Sequence, residues 1–457
     1  MDNKFHHSTS NSFARRPLHL PLFSRRRFVV AIRVLLACLS CLAIYALFVS
    51  HLPYRICAET CGPSSPRHCG QFPGDPADPL AVLKGPPTQS FQDNLRPEVK
   101  YISSWGSGGW TNDVIGNINL IYLALITDRV PIIPAFMPTH IGRHRDPIPF
   151  GEVFDVPHLW RALGKPVLEW REVKDPNSTV LDDLGCWNIW ESVQFYEKFP
   201  RHSFNPGHVN LDISYTKTPS WIKMFPGYEH DRHSTFWSLA ALSFPSARNA
   251  NLVPALPSPL HNVSLEPDDH LLCYDFLYYV AAHQSFEFSR DYSPAWRYVG
   301  QHMRWLPALE QVALQYTRRA FGLDGDVPIP PFISVHVRRN DFKSQCRLGV
   351  ALEDCFASLP VIARRVREVQ AEIQERKGIV VSHVIVTSDE KNGTWWGQVE
   401  EQGWYPILID AVIQSQGVGF VGTDMSTVSA LAWNRVKSWQ DGPVRMVKWG
   451  APNADDH

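Results

Sequence analysis

The first regular pattern of apolar and polar residues lies between residues 99 and 136. The segment VKYISSW is rich in β-branched and aromatic residues, as in a strand, and a glycine-rich turn, GSGG, follows it closely. Apolar residues at helical spacing then predict a helix over residues 112–127, and RVPIIPAF predicts a second strand. This part of the chain therefore predicts a strand–loop–helix–strand unit.

The C-terminal part alternates strands with helices more clearly. Strands are predicted at PFISVHV, SHVIVTS, YPILID and GVGFVGT, with helices over residues 354–376, 394–402 and 426–439. Such alternation indicates a parallel sheet in an α/β fold, which binds its ligands at the carboxyl ends of the strands. Residues 140–290 show only short apolar segments among Pro, His and aromatic residues, and we assign no elements there.

A long apolar segment near the N-terminus, residues 28–50, contains one charged residue, Arg33. It exceeds the apolar core of a cleaved signal peptide, about 7–15 residues, which is the alternative interpretation. Six Lys or Arg residues precede it, and the excess of basic residues marks the cytosolic side of a membrane helix. We therefore expect a cytosolic tail over residues 1–27 and a type II, single-pass anchor in the ER or Golgi membrane.

Features after the apolar segment agree with a luminal location. Residues 51–97 contain nine Pro and four Gly, which predicts an extended stem. Seven cysteines follow the predicted anchor, and the oxidising lumen makes disulfides plausible among them. Three N-glycosylation sequons, at Asn177, Asn262 and Asn392, also lie on this side.

Composition narrows the class of protein. The 457 residues are 44% hydrophobic and include 16 Trp, as in a globular protein rather than a disordered one. The formal net charge is −1, and because basic residues are concentrated before the apolar segment, the remainder is acidic. We therefore expect no nucleic-acid partner.

The first candidate site is the segment HVRRNDF, which follows the predicted strand PFISV. His336 and Arg338 alternate onto one face, so an imidazole and a guanidinium would point together into a crevice. An arginine there would bind a diphosphate and stabilise the charge that develops on it as it departs. The structural alternative is a strand end with solvated charges, in which Asp341 pairs with an arginine.

The second candidate is the segment GFVGTDMSTVS, which predicts a strand, a turn and the start of a helix. Hydroxyls and free N–H groups at Asp424, Ser426 and Thr427 would bind a phosphate there. The alternative is an ordinary N-cap formed by Asp424 or Ser426. The loop GSGGWTND also leads into a predicted helix, and its alternative is a flexible surface loop.

Two further carboxylates, Asp389 and Asp410, end predicted strands. Asp389 would contact a base or ribose, although a polar turn explains it equally well. A single DxD sequence, Asp324 to Asp326, lies in a Gly/Pro loop, and we expect no catalytic metal there.

Together these segments resemble the GDP-fucose protein O-fucosyltransferase superfamily over roughly residues 101–440. HVRRNDF is similar to the family's H-x-R-R-x-D-F motif. The resemblance implies that Arg338 binds the β-phosphate of GDP and is central to catalysis, with His336 and Asp341 as companions. It further implies that Ser426 and Thr427 hold the diphosphate.

The resemblance also implies roles for Asp410, near the guanine–ribose end, and for Asn112, in the active site. Asn112 stands 17 residues before Arg129, a spacing similar to that of the family's G-x-x-N segment and its following turn. One branch of the family has a glutamate base in this region and another only asparagine, whereas this chain has Asn112 followed by Asp113. We therefore treat Asp113 as a hypothetical general base.

The implied architecture is GT-B, with two Rossmann-like domains facing across a cleft. We expect an acceptor-side domain over residues 98–295 and a nucleotide-sugar domain over residues 296–457. The implied activity is metal-independent, inverting transfer of fucose from GDP-fucose to a hydroxyl of a protein or glycan. The alternatives are a glycosyltransferase that uses another nucleotide sugar and a membrane-anchored, non-catalytic relative that binds glycan or protein.

Overall fold

The computed structural model describes residues 78–141, 145–194, 196–390 and 404–456. All the described residues lie within one compact unit, Gln71–His457. Within these ranges the backbone forms twelve strands and fourteen α-helices.

The strands of the described ranges form three sheets. In chain order they are β1 (Tyr101–Ser104), β2 (Val130–Ile133), β3 (Leu168–Glu169), β4 (Asp182–Asn188), β5 (Leu211–Lys217), β6 (Ser234–Thr235), β7 (Leu271–Tyr274), β8 (Val280–Ala281), β9 (Phe332–Val337), β10 (His383–Ser388), β11 (Gly419–Thr423) and β12 (Val444–Val447). A six-stranded sheet has the order β3-β2-β1-β7-β4-β5, a four-stranded sheet has the order β10-β9-β11-β12, and β6 pairs with β8. All these pairings are parallel, which confirms the predicted α/β fold with parallel sheets.

The helices vary widely in length. They are α1 (Phe91–Asn94), α2 (Trp110–Ile126), α3 (Val156–Leu163), α4 (Trp170–Val173), α5 (Trp190–Val193), α6 (Asn205–His208), α7 (Phe236–Ala241), α8 (Pro245–Ala250), α9 (Pro294–Tyr298), α10 (Pro307–Ala320), α11 (Leu352–Cys355), α12 (Leu359–Lys377), α13 (Trp404–Gln416) and α14 (Thr427–Gln440). The long helices α2, α12 and α14 each connect two parallel strands of one sheet, because such strands need a crossover between them.

The register of the four-stranded sheet brings the polar strand ends together. Val337 of β9 pairs with Ser388 of β10, and Val335 pairs with Val421 of β11. The residues that follow these three strands therefore share one edge of the sheet. Strand β9 is buried along its whole length, and its valines pack against α12 on one face.

One hydrophobic core joins both large sheets. Ile115 of α2, Leu408 of α13 and Leu431 of α14 belong to it. The indole N–H of Trp296 donates to the Ser438 hydroxyl at 2.9 Å, which ties α9 to α14. The predicted domain boundary between residues 295 and 296 therefore falls inside a helix that packs against the C-terminal part.

The predicted stem over residues 51–97 is wrong in the part that the structure describes. Leu83, Phe91 and Leu95 are buried in the core beside the six-stranded sheet, and Phe91 meets Trp170 edge-on at 5.8 Å. These apolar side chains are too widely spaced among Pro and polar residues to show a period, yet they cover the sheet. Residues 51–77 lie outside the described ranges.

The segment YPILID is helical rather than a strand, which corrects the prediction for Asp410. It lies within α13, which packs against α10, α14 and β9. Neighbouring elements on several sides bury Leu408, Ile409 and Val412. Because the helix is covered on several faces, its sequence is an unbroken apolar run, which is also the pattern of a buried strand. The predicted helix over residues 394–402 lies outside the described ranges.

The predicted anchor over residues 28–50 also lies outside the described ranges. Among the residues that are described, no helix has both the length and the apolar character to cross a membrane.

The described part contains two disulfides and two exposed sequons. Disulfides join Cys186 to Cys273 and Cys346 to Cys355. Asn177 and Asn262 are exposed, as glycosylation requires, whereas Asn392 lies outside the described residues.

Candidate functional site

Arg338 directly follows β9, and its guanidinium contacts two carboxylates, those of Asp341 and Asp389. Its Nε and Nη2 atoms donate to the two carboxylate oxygens of Asp341, each at 2.8 Å. Its Nε atom is also 3.1 Å from Oδ2 of Asp389. Among the described residues, its Nη1 atom donates no hydrogen bond, so part of the guanidinium remains available to a ligand.

Asp389 shapes the turn that carries Arg338. It follows β10, and its Oδ1 atom accepts the N–H of Arg339 at 2.8 Å, while Oδ2 accepts the N–H of Asn340 at 3.2 Å. The sequence placed Asp389 correctly at a strand end. Its contacts in this structure fix the arginine turn rather than leave the carboxylate open for a base or ribose.

Asp341 is the exposed partner of Arg338. Partial burial alone would raise the pKa of Asp341, but its hydrogen bonds with the Arg338 guanidinium hold it below the usual range. The carboxylate therefore stays ionised at neutral pH. The structural alternative proposed for this segment, an Asp341–Arg338 pair, is present, and it orients the guanidinium at the sheet edge.

His336 lies near the C-terminal end of β9 and faces α14. Its Nδ1 atom lies 2.7 Å from the Ser429 hydroxyl, which in turn accepts the N–H of Thr423 at 3.0 Å. Complete burial, with a smaller contribution from Arg338, lowers the pKa of His336 to about 3. The imidazole is therefore neutral, and it links β9 to the first turn of α14.

The N-terminus of helix α14 lies at the same edge of the four-stranded sheet, directly after β11. The Ser426 side chain accepts the N–H of Ser429, which confirms the N-cap alternative for Ser426. Among the described residues, the N–H groups of Thr427 and Val428 donate no hydrogen bond. Free N–H groups and the helix dipole make such a terminus favourable for an anion.

Asp424 forms the turn between β11 and α14. Its N–H donates to the Val447 carbonyl at 3.0 Å, and its own carbonyl accepts the indole N–H of Trp449 at 2.9 Å. These bonds fix the backbone of the turn, while the half-buried carboxylate forms no hydrogen bond with other described residues.

A second helix N-terminus, that of α2, follows the glycine-rich loop. Asp113, in the first turn of α2, accepts the N–H groups of Ser107 and Gly108 on one oxygen, both at 3.0 Å. Burial raises the pKa of Asp113 to about 7, and the two N–H bonds offset this only in part. A β-carbon on Gly106 would lie 2.7 Å from the carboxylate, so the close approach requires glycine.

The two helix N-termini meet at one contact. The hydroxyls of Thr111 and Thr427 are 2.7 Å apart, and these residues lie in the first turns of α2 and α14. The strand end of Arg338 joins the same cluster, because its N–H donates to Thr423 Oγ1 at 2.9 Å. Two positive helix ends therefore meet at this contact, and the backbone that carries Arg338 is bonded to the strand that leads into one of them.

Asn112 lies beside this contact. It lines a cavity of about 10 Å³ together with Asp113, Asn117 and the glycine-rich loop. Among the described residues, its side chain forms no hydrogen bond. The structure thus places Asn112 with the predicted site residues, with its amide available to a ligand.

Asp410 does not join this group. Burial raises the pKa of Asp410 to about 7, and within the described ranges its carboxylate has no hydrogen-bond partner. No described contact links it to Arg338, and its predicted position at a strand end is wrong because the segment is helical.

One other polar cluster lies at the opposite edge of the six-stranded sheet. Asp183, Asp212 and His261 are close enough to hold a metal ion, near the amino ends of β4 and β5. The Asp212 carboxylate already accepts hydrogen bonds from Ser258 and from the N–H of His261. The hydrogen bonds account for this cluster without a ligand.

Sequence reasoning missed three residues that organise the site: Thr111, Thr423 and Asp275. Thr111 precedes Asn112 directly, and Thr423 ends β11. Asp275 follows β7 and accepts backbone N–H groups on both oxygens, and burial raises its pKa to about 6. The rule that polar residues at the ends of parallel strands mark a site could have found Thr423, whereas Asp275 follows a strand in the segment for which the sequence predicts no elements.

Comparisons with known proteins return structural matches alone. No protein-family model matches the chain, and no curated protein matches it. POFUT1 in complex with GDP-fucose is 15% identical with a TM-score of 0.46, over 78% of this chain and 99% of that one. POFUT1 in complex with GDP is 16% identical, also with a TM-score of 0.46, over 77% and 99% of the two chains.

A variant of Arabidopsis thaliana FUT1 in complex with GDP is 11% identical with a TM-score of 0.31, over 81% of this chain and 72% of that one. At this level of similarity, the activity has to be inferred from the residues of the chain itself.

Proposed function

We propose that the chain is an inverting glycosyltransferase that transfers fucose from GDP-fucose to a hydroxyl group of a protein or glycan. The observation that supports this most is the meeting of two helix N-termini at Thr111 and Thr427, next to the strand end that is bonded to the backbone of Arg338. Such a cluster suits a diphosphate, which carries two negative charges and many acceptor oxygens.

In this proposal, the diphosphate of the donor lies against the first turn of α14. The N–H groups of Thr427 and Val428 and the Nη1 atom of Arg338 donate to its oxygens. This arrangement supplies positive charge through the chain's own groups, so the proposed reaction requires no metal ion. The acid–arginine contacts of Asp341 and Asp389 hold the guanidinium in place before the donor binds.

The transfer exchanges one bond at the sugar for another. The bond between fucose C1 and the β-phosphate oxygen breaks, and its electron pair leaves with GDP. The acceptor oxygen forms a new bond to C1 from the opposite face, and its proton passes to a base. Donors aimed at the departing diphosphate would stabilise its growing charge, and each is worth about 3–4 kcal/mol by analogy with an oxyanion hole.

Asp113 is the carboxylate that we assign as this base. Its pKa of about 7 allows it to accept a proton at neutral pH. One oxygen holds the glycine-rich loop, and the other forms no hydrogen bond with described residues. Asn112, next to it, would orient the donor or the acceptor.

We further propose that the two parallel sheets correspond to the two Rossmann-like domains of a GT-B enzyme. The chain would be a type II protein of the ER or Golgi membrane, anchored by residues 28–50. The two disulfides and the exposed sequons support the luminal side of this topology.

The test is calorimetric binding of GDP-fucose, GDP-mannose and UDP-sugars to the full chain in detergent, together with turnover assays. We expect binding of GDP-fucose that is lost in Arg338→Ala. The matched control is Arg347→Ala, an exposed arginine of the same segment.

If another nucleotide sugar binds more tightly, that sugar is the donor instead of GDP-fucose. If GDP-fucose binds but no acceptor is modified, the result favours a non-catalytic relative. A folded protein that binds no nucleotide sugar would contradict the proposal altogether.

A further inference from the structure

A cavity of about 480 Å³ opens against the glycine-rich loop, and the donor site described above does not use it. Gly106 and Ser107 form one wall, and most of the remainder comes from residues between 197 and 204. Its volume is within the range of about 300–1,000 Å³ that is usual for small-molecule sites. The chain therefore has room for a second ligand beside the proposed donor.

Buried hydrogen bonds hold the wall of this cavity in place. Asp275, which is fully buried, accepts the N–H of Arg201 at 3.0 Å and the N–H of Ile189 at 2.7 Å. The guanidinium of Arg201 lies 4.6 Å above the ring of Trp190, and its Nε atom donates to the Ser107 hydroxyl at 3.0 Å. The wall is thus fastened directly to the glycine-rich loop.

The lining combines polar groups with exposed aromatic rings. Among the described residues, neither the Glu197 carboxylate nor the ring nitrogens of His202 form a hydrogen bond, so both remain available to a ligand. The Phe199 side chain is 70% exposed and Phe204 is 44% exposed. A sugar ring presents hydroxyls at its rim and apolar C–H groups on its faces, which match these two kinds of group.

The cavity is also close to the proposed base. Gly106 lines both this cavity and the small one that contains Asn112 and Asp113. Ser107, which borders the large cavity, donates its N–H to the Asp113 carboxylate. The loop that forms one wall of the large cavity is therefore the same loop that the Asp113 carboxylate holds.

We propose that this cavity binds the terminal sugars of a glycan acceptor. This inference rests on the proposed function and selects glycan over protein as the acceptor class. A folded protein acceptor would contact about 800 Å² of broad surface, whereas a concave, polar and aromatic cavity encloses a few sugar rings. The sugar hydroxyl forms the bond to fucose C1, its proton passes to Asp113, and GDP leaves.

The test measures acceptor and donor binding separately on the full chain in detergent. The probes are the neutral disaccharides lactose, cellobiose and chitobiose, a serine-containing peptide and a small disulfide-bonded protein, each titrated with GDP present. We expect saturable binding of at least one disaccharide that weakens about tenfold in Phe199→Ala, because the substitution removes an exposed ring against which a sugar face would pack. Glu197→Gln should weaken it as well.

The matched control is Tyr316→Ala, which removes an aromatic side chain of 46% exposure from α10, outside the cavity. All three variants should bind GDP-fucose as tightly as the original chain. Saturable binding of the peptide or the protein alone would overturn the glycan assignment, as would disaccharide binding that Phe199→Ala leaves unchanged. If GDP-fucose binds and no disaccharide does, the cavity proposal fails while the donor proposal stands, and if GDP-fucose does not bind, the proposed function itself fails.

Discussion

The N-termini of α2 and α14 meet at the Thr111–Thr427 contact, but the loops that lead into the two helices are held by different kinds of group. The loop before α2 is glycine-rich, and a buried carboxylate, Asp113, ties it down through two N–H groups. The turn before α14 is held by neutral groups, namely the hydroxyls of Thr423, Ser426 and Ser429 and the uncharged ring of His336.

This difference suits the two helix starts to different tasks, donor binding and proton transfer. Because burial raises the pKa of Asp113 to about 7, the carboxylate that holds the α2 loop gains or loses its proton near neutral pH. His336, which packs against the first turn of α14, does not titrate there, because burial lowers its pKa to about 3. The α14 side therefore suits constant binding of the donor, and the α2 side suits a step in which a proton moves.

The largest expected effect is that of Asp113→Asn. The amide oxygen still accepts the loop N–H groups, but the side chain no longer takes a proton, so turnover should fall by between about 100- and 10,000-fold. Steady-state assays with GDP-fucose would show this, with GDP-fucose affinity and melting temperature nearly unchanged.

The control for this substitution is Asp326→Asn, which alters an exposed carboxylate in a loop. Full turnover by Asp113→Asn would remove Asp113 as the base and leave it a residue that positions the loop.

The pH dependence of the unaltered chain tests the same contrast. Turnover requires ionised Asp113 and should fall about tenfold per pH unit below pH 7. GDP-fucose affinity should stay nearly constant between about pH 5.5 and 8, because His336 stays uncharged and Asp341 stays ionised over this range. Parallel pH profiles for turnover and donor affinity would contradict the division of tasks.

Asp389→Ala should produce an intermediate effect on the α14 side. It removes the acceptor of the Arg339 and Asn340 N–H groups and loosens the turn that carries Arg338, so donor affinity should fall about tenfold. Asp341→Ala is the comparison, since Asp341 contacts the guanidinium but is 58% exposed. Calorimetry should rank Asp389→Ala as the more damaging, and the reverse order would place the main support of Arg338 at Asp341.

The smallest expected effect concerns the contact between the two helix starts. Thr111→Val and Thr427→Val each remove one hydroxyl of the 2.7 Å pair. In a double-mutant cycle on the free energy of unfolding, the two changes should be coupled by about 1 kcal/mol. Additive effects would mean that the two loops are energetically independent.

The sequence predicted the parts of this site that depend on local patterns. Apolar runs followed by polar residues predicted the ends of β9, β10 and β11, and the polar residues after them include Arg338 and Asp389. Ser426 was identified from the cap pattern at the start of α14. Such features depend on a few neighbouring residues, which is why they could be predicted.

The sequence did not predict the elements and contacts that depend on packing between distant parts of the chain. The run around Asp410 resembled a strand because helix α13 is covered by α10, α14 and β9. Residues 140–290 contain strands of two to seven residues that pair with distant partners, such as β7 between β1 and β4, so no local period marks them. The Thr111–Thr427 contact joins residues 316 apart and has no local signal.

The most direct test of the central claim is calorimetric titration of the full chain with GDP, GMP and guanosine. If the two helix starts and Arg338 form a diphosphate site, GDP should bind at least about 100-fold more tightly than guanosine, with GMP between them, since charge-assisted hydrogen bonds contribute about 1.5–3 kcal/mol each. Equal affinity for GDP and guanosine would contradict a diphosphate site at this edge of the sheet.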